Sequence, residues 1–555
     1  MKSKKILLIR VPEIEFKTRN VDLRSIAVSG LTVPLGVTYL ASVIRKEGHH
    51  DVQILDLYVE YYKEFIDQAK SNPSGILALS KEAIINAVSK YKPDIVGFSA
   101  LFLFQHNLVK EFTAIVKENF PSVRIYLGGY STIVPQLVLN DIPALDVLFI
   151  GESEGSIIRA LNAEGGNKKF DSIDGVAFRD NKKVVINKSL SIVKNLNNLP
   201  FPSFDMLPLE KYKSILGRNE FPFMTSRSCP LSCNFCSSYL YSGRGHRARD
   251  IENLLMEIRQ LHRKYNIEFL WIRDDNFTIN KEHAKKFLKD MIKYKLSIPW
   301  CDSSGFHANS IDKELIDLCK ASGCVELIFA IESGSERVLN KVMNKKVDLD
   351  HAKKMAKYCR DVNLPIQGYF VIGNPGETKE EIRQTVDFAR EIEVDHCTFS
   401  IATPFPGTRY YDIAVKNKYL IHSSDYILGM KYMEASMSTG EFSSKDLKDI
   451  QYDANIRVNF LENRLLSRDT GALKRALKKF TEVFMQYNFH AIARVLQGHL
   501  YAELGDVVKA DEIFEDVYRL LKDESISRAY AKYFEWDTPV IKTYHHWLKE
   551  KKVKI

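Results

Sequence analysis

Cysteine is absent from most of this chain of 555 residues, since none lies before position 229 and none after position 397. Secreted proteins with structural disulfides distribute paired cysteines along the chain, so this pattern excludes a disulfide framework. The chain also lacks an apolar run of the ~18 residues that a membrane-spanning helix needs. Residues 1–10 hold too few apolar side chains for a signal peptide. We therefore expect a protein of the reduced cytoplasm with no transmembrane segment.

A strong excess of one charge is also missing. The net charge is only +9, from 79 basic and 70 acidic residues, and no basic run is interleaved with aromatic residues. This excludes the usual groove for nucleic acid, whereas a mild positive charge suits phosphate or carboxylate ligands. The length favours about three to four domains.

The cysteines that are present include a tight group, Cys229, Cys233 and Cys236, with the spacing C-x3-C-x2-C. Thiolates hold iron–sulfur clusters, and three protein ligands on a four-iron cluster leave one iron open for chemistry. The alternative is a zinc knuckle with His246 as fourth ligand, although zinc sites usually supply two separated C-x2-C pairs. The five remaining cysteines are expected to be small buried apolar side chains.

Residues 1 to about 190 alternate short apolar runs with helical patterns, which predicts a doubly wound parallel sheet. The predicted strands are 6–9, 52–56, 94–99, 124–129 and 147–151, with helices near 34–45 and 106–118. Ligands of such sheets bind over the carboxyl ends of the strands. Besides the loop 10–35, these ends contain Ser99, Gly128, Gly129, Tyr130, Gly151 and Glu152.

A proline-rich linker over 191–218 precedes a second alternating region, 219–440, in which about six βα units predict a partial (β/α)6 barrel. The strands recognised in this region are 221–226, 268–275, 326–334, 366–373 and 396–401. Barrel sites lie at the carboxyl ends of strands. The polar or flexible residues at these ends are Asp274, Asp275, Glu332, Ser333 and Gly373. Each of them alone is equally compatible with a helix cap, a turn or a solvated charge.

The last region, 441–555, is rich in helix formers. Residues 489–514 resemble one helical hairpin of the tetratricopeptide type. A single hairpin does not form a stable array, so we expect it to pack on the barrel as a cap or docking surface.

Taken together, the motifs resemble the radical SAM enzymes that carry a cobalamin-binding domain, a group that includes radical methylases and the anaerobic magnesium-protoporphyrin ester cyclase. The cysteine spacing is similar to the radical SAM signature. The motifs Pro-Leu-Gly, Leu-Gly-Gly and Gly-Glu-x-Glu within 34–154 are similar to the cobalamin-binding domain. The resemblance implies a [4Fe-4S] cluster on Cys229, Cys233 and Cys236, together with S-adenosylmethionine and cobalamin.

The resemblance also implies residue roles. Asp274 and Asp275 would lie near the amino group of S-adenosylmethionine, Glu332 and Ser333 would bind its ribose or carboxylate, and the strand ending at Gly373 would offer backbone to adenine. Cobalamin would lie against the strand ends of the first region named above. One departure is the lack of an Asp-x-His-x-x-Gly motif after the first strand, so no histidine is offered there as a ligand to cobalt.

The implied activity is cleavage of S-adenosylmethionine to a 5′-deoxyadenosyl radical that abstracts hydrogen from an unactivated carbon. We predict C-methylation through methylcobalamin, with radical cyclisation or rearrangement, or a non-catalytic cobalamin sensor, as alternatives. A methylthiotransferase is disfavoured because the first region has no cysteine. The sequence assigns no catalytic residue. The substrate is expected to be a small molecule or lipid selected by the barrel mouth, the loop 22–35 and the helical cap, and the electron donor a flavodoxin or ferredoxin.

Overall fold

A computed structural model describes residues 3–13, 31–47, 49–64, 73–164, 170–180, 183–187, 189–421, 427, 435–467 and 469–552. Most of the predicted ligand loop 10–35 and of the proposed specificity loop 22–35 therefore lies outside the described residues. No described helix has the length and apolar character required to cross a membrane.

The first region forms one seven-stranded sheet with the order β2-β1-β3-β4-β5-β6-β7. The pairs from β2 to β5 are parallel, which confirms the predicted doubly wound fold, and β6 and β7 extend it as an antiparallel hairpin. The strands are β1 Lys5–Arg10, β2 Asp51–Asp56, β3 Ile95–Ala100, β4 Arg124–Gly129, β5 Val147–Phe149, β6 Val176–Asp180 and β7 Lys183–Ile186. The strand order reverses between β1 and β3, which is where such sheets open a crevice for ligands.

The helices that accompany this sheet in the described ranges cover both of its faces with apolar side chains. They are α1 Leu35–Glu47, α2 Leu57–Glu60, α3 Pro73–Tyr91, α4 His106–Asn119, α5 Pro135–Asp141 and α6 Ser153–Ala163. Helix α1 starts directly after Pro34, whose fixed φ suits a position at the start of a helix.

The second region is the predicted partial barrel. Its parallel strands form two sheets, β8-β11-β12 and β13-β14-β15-β16, joined by an isolated bridge between Trp300 and Cys324. The strands are β8 Glu220–Phe223, β11 Phe269–Ile272, β12 Trp300–Asp302, β13 Phe306–His307, β14 Leu327–Glu332, β15 Ile366–Ile372 and β16 His396–Ile401, with a small ribbon of β9 Ser226–Arg227 and β10 Arg247–Ala248.

The helices around the barrel put their apolar faces on the outer side of its strands, in one large core. They are α7 Leu209–Leu216, α9 Ile251–Tyr265, α10 Lys281–Lys293, α11 Lys313–Ser322, α12 Leu349–Asp361, α13 Lys379–Glu391 and α14 Arg409–Lys416. The short helix α8, Tyr239–Ser242, lies at the barrel mouth instead. The same core includes Leu31, Val33 and Tyr58 of the first region, so the two regions share apolar packing.

The last region is helical, as predicted, with its own core. Its helices are α15 Ser444–Ile456, α16 Thr470–Gln486, α17 Ala491–Glu503, α18 Val507–Leu520, α19 Glu524–Phe534 and α20 Pro539–Glu550, and α17 and α18 form the predicted hairpin. The contacts with the barrel follow edge strand β16. Asn459 accepts a hydrogen bond from the Cys397 amide and donates one to its carbonyl, both at 2.7 Å, and Gln451 Nε2 donates to the Phe399 carbonyl. These side chains satisfy backbone groups that a further strand would otherwise pair.

Candidate active site

The cysteine loop follows β9 and lies at the carboxyl end of the barrel strands. Cys229, Cys233 and Cys236 are free and half-buried. Burial raises the pKa of the Cys233 thiol to about 11, and the neighbouring charges that act on it include those of Lys345 and Glu332. Such a thiol is protonated near neutral pH until a bound metal displaces its proton.

Hydrogen bonds fix this loop to the segment that follows β14. Asn234 donates from its backbone to the Met343 carbonyl and from its side chain to the Val342 carbonyl, both at 2.8 Å. Asn344 Nδ2 donates in turn to the Ser232 carbonyl at 2.9 Å. The cysteines therefore sit on a loop whose position is set by the barrel.

The predicted acidic pair after β11 divides into two roles. Asp274 is fully buried and accepts hydrogen bonds from the Thr225 amide at 2.7 Å, the Thr225 hydroxyl and the Ser226 hydroxyl. Asp275 accepts from the Ser228 amide at 2.8 Å, next to the first cysteine. Burial raises the pKa of both carboxyl groups. Asp274 thus connects two strands, whereas Asp275 supports the cysteine loop.

The residues predicted after β14 and β15 lie on the other side of the loop. Glu332 has a φ of 77° beside a bulge in β14, and its carboxylate pairs with Lys345 Nζ at 2.7 Å. Ser333 is fully buried, with its hydroxyl 3.0 Å from that of Thr385. Gly373 has a φ of 76°, and a Cβ there would lie 2.7 Å from Leu447 side-chain atoms. Of these three residues, Glu332 is the one whose charge acts on the pKa of the Cys233 thiol.

A buried carboxyl group lies behind this side of the loop. Glu377 Oε2 accepts from the backbone and side-chain amides of Asn374, while its Oε1 finds no hydrogen-bond partner among the described residues. Tyr410 donates its hydroxyl to Asn374 Oδ1 at 2.8 Å and its backbone amide to the Asn234 carbonyl. Burial raises the pKa of Glu377 to about 7, against the lowering effect of the Asn374 hydrogen bonds. Thr378 caps α13, so this segment is also the turn that the sequence allowed.

The variant Glu377→Gln is expected to gain stability relative to the wild type as pH rises from 5 to 8. Unfolded Glu377 ionises near pH 4.5 and folded Glu377 near 7, so the folded protein holds the extra proton and loses stability with rising pH in this window. The difference amounts to about 3 kcal/mol at pH 8. Urea unfolding at several pH values measures it, and a variant whose stability runs parallel to the wild type would contradict the assignment.

A cavity of about 380 Å³ lies between the sheet of the first region and the barrel mouth. Its apolar wall comes from β1, β3, β4, β5, α1 and α6, at the point where the strand order reverses. The barrel contributes Met224, Ser226, Arg227, Tyr241, Ser242, Arg273 and Asp275. Asp275 therefore touches both the cavity and the cysteine loop.

The cavity collects most of the residues predicted from the first sheet. Ser99, Gly128, Gly129, Gly151 and Glu152 all line it. The exception is Tyr130, whose buried ring packs among the apolar residues of the opposite sheet face and whose hydroxyl lies 2.8 Å from His106 Nδ1. The sequence predicts Tyr130 in the ligand site because it lies at the carboxyl end of β4. The turn after β4 directs its side chain away from the cavity.

Two buried ion pairs join the regions at the rim of this cavity. Arg227 pairs with Glu154 at 2.6 Å, and Arg247 pairs with Glu152 at 2.6 Å. Burial acts to raise the pKa of Glu154, but the charges of Arg227 and Arg247 hold it below its usual value. Glu152 is predicted from the sequence, but its partner Arg247 is not, and neither is Arg227. For Arg227 the available signal is its position two residues before Cys229.

Replacing Glu154 by alanine is expected to destabilise the protein by about 3–5 kcal/mol, because it leaves the Arg227 guanidinium buried without its carboxylate. Asp205→Ala is the matched control. Its ion pair with Arg45 has the same type of geometry, at 2.7 Å, but both side chains are about half exposed, and such pairs contribute about 0–1 kcal/mol. Denaturant unfolding of both variants provides the measurement. Equal, small losses would show that the buried pair does not hold the interface.

The zinc alternative would need His246 as a fourth ligand. Burial and the charge of His283 lower the pKa of His246, and no cysteine is among the groups that act on it. Across the described ranges, no group of three or more His, Cys, Asp or Glu side chains, the three cysteines included, is already arranged to hold a metal ion.

In comparisons with known proteins, one family model matches the barrel and another matches the first region. The model of the radical SAM superfamily matches residues 223–389, and the model of the B12 binding domain matches residues 23–160. An uncharacterized methyltransferase of Pyrococcus horikoshii is 31% identical over 494 residues, which cover 88% of this chain and 100% of that protein. The chain belongs to the B12-binding radical SAM enzymes.

Other relatives of this B12-binding radical SAM enzyme agree with that placement. A cytidylyl-2-hydroxyethylphosphonate methyltransferase of Streptomyces wedmorensis is 27% identical, with 78% of this chain and 87% of that protein covered. The structure of TsrM, a radical S-adenosylmethionine methyltransferase from Kitasatospora setae, has a TM-score of 0.58 at 17% identity and covers 74% of this chain and 77% of its own. This structural likeness shows a common fold.

The cysteine loop of this B12-binding radical SAM enzyme fits a four-iron cluster in the number and chemistry of its ligands. Cys229, Cys233 and Cys236 lie within eight residues on one loop, and all three are free thiols. Asn276 Nδ2 lies 3.7 Å from the sulfur of Cys229 and donates to it. Hydrogen bonds to cluster sulfur atoms are one means by which a protein sets the reduction potential.

The cavity suits a large ligand such as B12 because several glycines are part of its lining. A Cβ at Gly36 would meet no atom within 4 Å, and one at Gly128 would meet only the Ser153 hydroxyl at 3.8 Å, so side chains at these positions would fill the cavity. Gly129 has a φ of 112°, and its Cβ would lie 1.8 Å from the Ala100 carbonyl oxygen. Among the described lining residues none is histidine, in line with the missing histidine motif.

Proposed function

We propose that this enzyme transfers a methyl group to an unactivated carbon of a small-molecule or lipid substrate. One observation carries the proposal: the cavity at the B12-binding strand ends opens onto the barrel mouth beside the cysteine loop, and Asp275 contacts both. A substrate in the barrel mouth then lies between the two reaction partners. The names of the methyltransferase relatives support the same reaction.

Cys229, Cys233 and Cys236 would hold a [4Fe-4S] cluster, and Ser99, Gly128, Gly129, Gly151 and Glu152 would contact cobalamin. When bound, the cluster supplies the electron that cleaves S-adenosylmethionine and cobalamin supplies the methyl group. The chain's own residues keep these partners in place: Asn234 and Asn344 hold the loop, and the buried ion pairs of Glu152 and Glu154 hold the two regions together.

S-adenosylmethionine would bind between the acidic residue Asp275 on one side of the loop and Glu332 with the backbone of Gly373 on the other. Asp274 and Ser333 act through their neighbours in this proposal. Asp274 fixes the strand that leads into the loop, and Ser333 fixes the start of the segment after β14 through Thr385. Both are therefore proposed as positioning residues.

The physiological setting in this proposal is the cytoplasm, with a flavodoxin or ferredoxin as the electron donor. All eight cysteines are free thiols, which suits a reducing compartment.

Mass spectrometry of the products of S-adenosylmethionine tests the proposal. Protein reconstituted without oxygen, with cobalamin and a strong reductant, is expected to form both 5′-deoxyadenosine and S-adenosylhomocysteine. 5′-Deoxyadenosine alone, with a confirmed substrate present, would replace methylation by cyclisation or rearrangement. Neither product from protein with a full cluster would overturn the enzymatic function, and binding of cobalamin under those conditions would favour a sensor.

A further inference from the structure

Arg273 differs from the other arginines around the inter-domain cavity. Arg227 and Arg247 pair with glutamates of the first region, and Arg249 pairs with Glu257 at 2.6 Å. For Arg273, the described part of the chain contains no carboxylate within ion-pair distance. Its guanidinium donates instead to the Ser303 hydroxyl at 2.8 Å.

The position of Arg273 is fixed by the barrel. It directly follows β11, and its backbone amide donates to the Phe223 carbonyl of β8 at 2.8 Å. Its guanidinium lies over the ring of Trp271, 5.4 Å from the ring centre. Trp271 and Tyr369 belong to the small apolar cluster inside the barrel, and Tyr369 donates its hydroxyl to the Ser303 carbonyl. Arg273 thus lies between the barrel interior and the cavity it lines.

Three acids, Glu220, Glu13 and Asp302, act on the charge of Arg273 from beyond ion-pair distance. Glu220 accepts hydrogen bonds from Arg218 and from the indole of Trp271, and Glu13 pairs with Arg10 at 2.7 Å. Burial raises the pKa of Asp302 to about 8, so this carboxyl is largely protonated at neutral pH. Arginine itself remains charged in proteins. A largely buried cation with no carboxylate in direct contact is costly, and an anionic ligand offsets that cost.

We propose that Arg273 binds an oxyanion of the substrate, a phosphate, phosphonate or carboxylate group, at the boundary between barrel and cavity. This rests on the proposed function, because it assumes a substrate in the barrel mouth. A planar guanidinium with free donors suits such groups, and stacking on Trp271 orients it. On the opposite side of the cysteine loop the cation is Lys345, and it already pairs with Glu332 at 2.7 Å.

Calorimetric titration of the reconstituted holoenzyme with inorganic phosphate, and separately with acetate, tests the proposal. The wild type is expected to bind at least one of the two anions, and the preferred anion identifies the substrate class. Arg273→Gln and Arg273→Met are expected to weaken that binding at least about tenfold, while Arg273→Lys retains part of it. The matched control is Arg218→Gln, because Arg218 also stacks on an aromatic ring, that of Phe269, but pairs with Glu220.

Binding of S-adenosylmethionine, followed by equilibrium dialysis, should be unchanged in both uncharged variants. Cobalamin binding, followed by absorbance, should weaken less than anion binding, because Arg273 lines only the barrel side of the cavity. Loss of S-adenosylmethionine binding, or a loss of cobalamin binding as large as that of the anion, would overturn the proposal, because Arg273 would then serve a cofactor or the fold. Anion binding that is absent from the wild type, or equal in the wild type and Arg273→Gln, would overturn it as well. These readouts do not depend on product formation, so a failure of the methyltransferase proposal is seen separately in the mass spectra.

Discussion

Replacing Cys233 by alanine is expected to abolish both cluster binding and cleavage of S-adenosylmethionine. The loop would keep only Cys229 and Cys236, and a four-iron cluster held by two thiolates has two irons without protein ligands. Burial raises the pKa of Cys233 to about 11, so its thiol keeps its proton near neutral pH until a metal binds and displaces it. Iron and sulfide analysis, the electron paramagnetic resonance signal of reduced protein and the yield of 5′-deoxyadenosine measure the loss.

Cys359→Ala is the control for this experiment. Cys359 is a fully buried thiol in α12, so its loss costs packing energy without touching the loop. We expect iron content and cleavage at the wild-type level once the variant is folded. Residual cleavage by Cys233→Ala at matched iron content would refute the assignment of the cluster to this loop.

Replacing Gly128 by valine is expected to weaken cobalamin binding while the cluster remains intact. Gly128 has no positive φ, and the space around its position is empty except for the Ser153 hydroxyl. The branched side chain would therefore enter the cavity without straining the backbone. Overlap of this size costs about 1–3 kcal/mol, which lowers affinity about tenfold to hundredfold. The cobalamin retained after gel filtration, measured by absorbance, gives the result.

Gly155→Val controls for loss of glycine from the same region. Gly155 is exposed on α6, and a Cβ there would meet no atom within 4 Å. Its substitution should leave cobalamin binding unchanged. If both variants lost cobalamin equally, or if Gly128→Val kept it, the cavity would not be the binding site.

The parts of the fold that the sequence predicted are those with local signals. The apolar runs of β1 and β4 and the close spacing of the cysteines are visible without tertiary information. Strand β12, Trp300–Asp302, was missed because three residues show no periodicity. The hairpin of β6 and β7 was missed as well, and it extends the parallel sheet with antiparallel strands.

The candidate site was less predictable, because its geometry depends on pairs that are distant in sequence. Arg247 meets Glu152 across 95 positions, and no local pattern indicates that contact. Asp274 and Asp275 are adjacent and chemically identical, yet one connects strands and the other faces the cavity. The residue before them, Arg273, gives no signal in the sequence, and only the barrel shows that no carboxylate of the described residues lies within ion-pair distance of it.

The hydrogen bonds between Asn459 and β16 also bear on how the protein is made. The amide and carbonyl of Cys397 meet their partner only when a residue 62 positions later has been synthesised. Until then the growing chain presents an unpaired strand edge, which is a template for association with other chains. A chaperone-poor expression host, or a gene shortened to the first two regions, would therefore favour aggregates. The helical region therefore covers the edge of β16 only late in synthesis. A gene that includes this region is the better starting point for reconstitution.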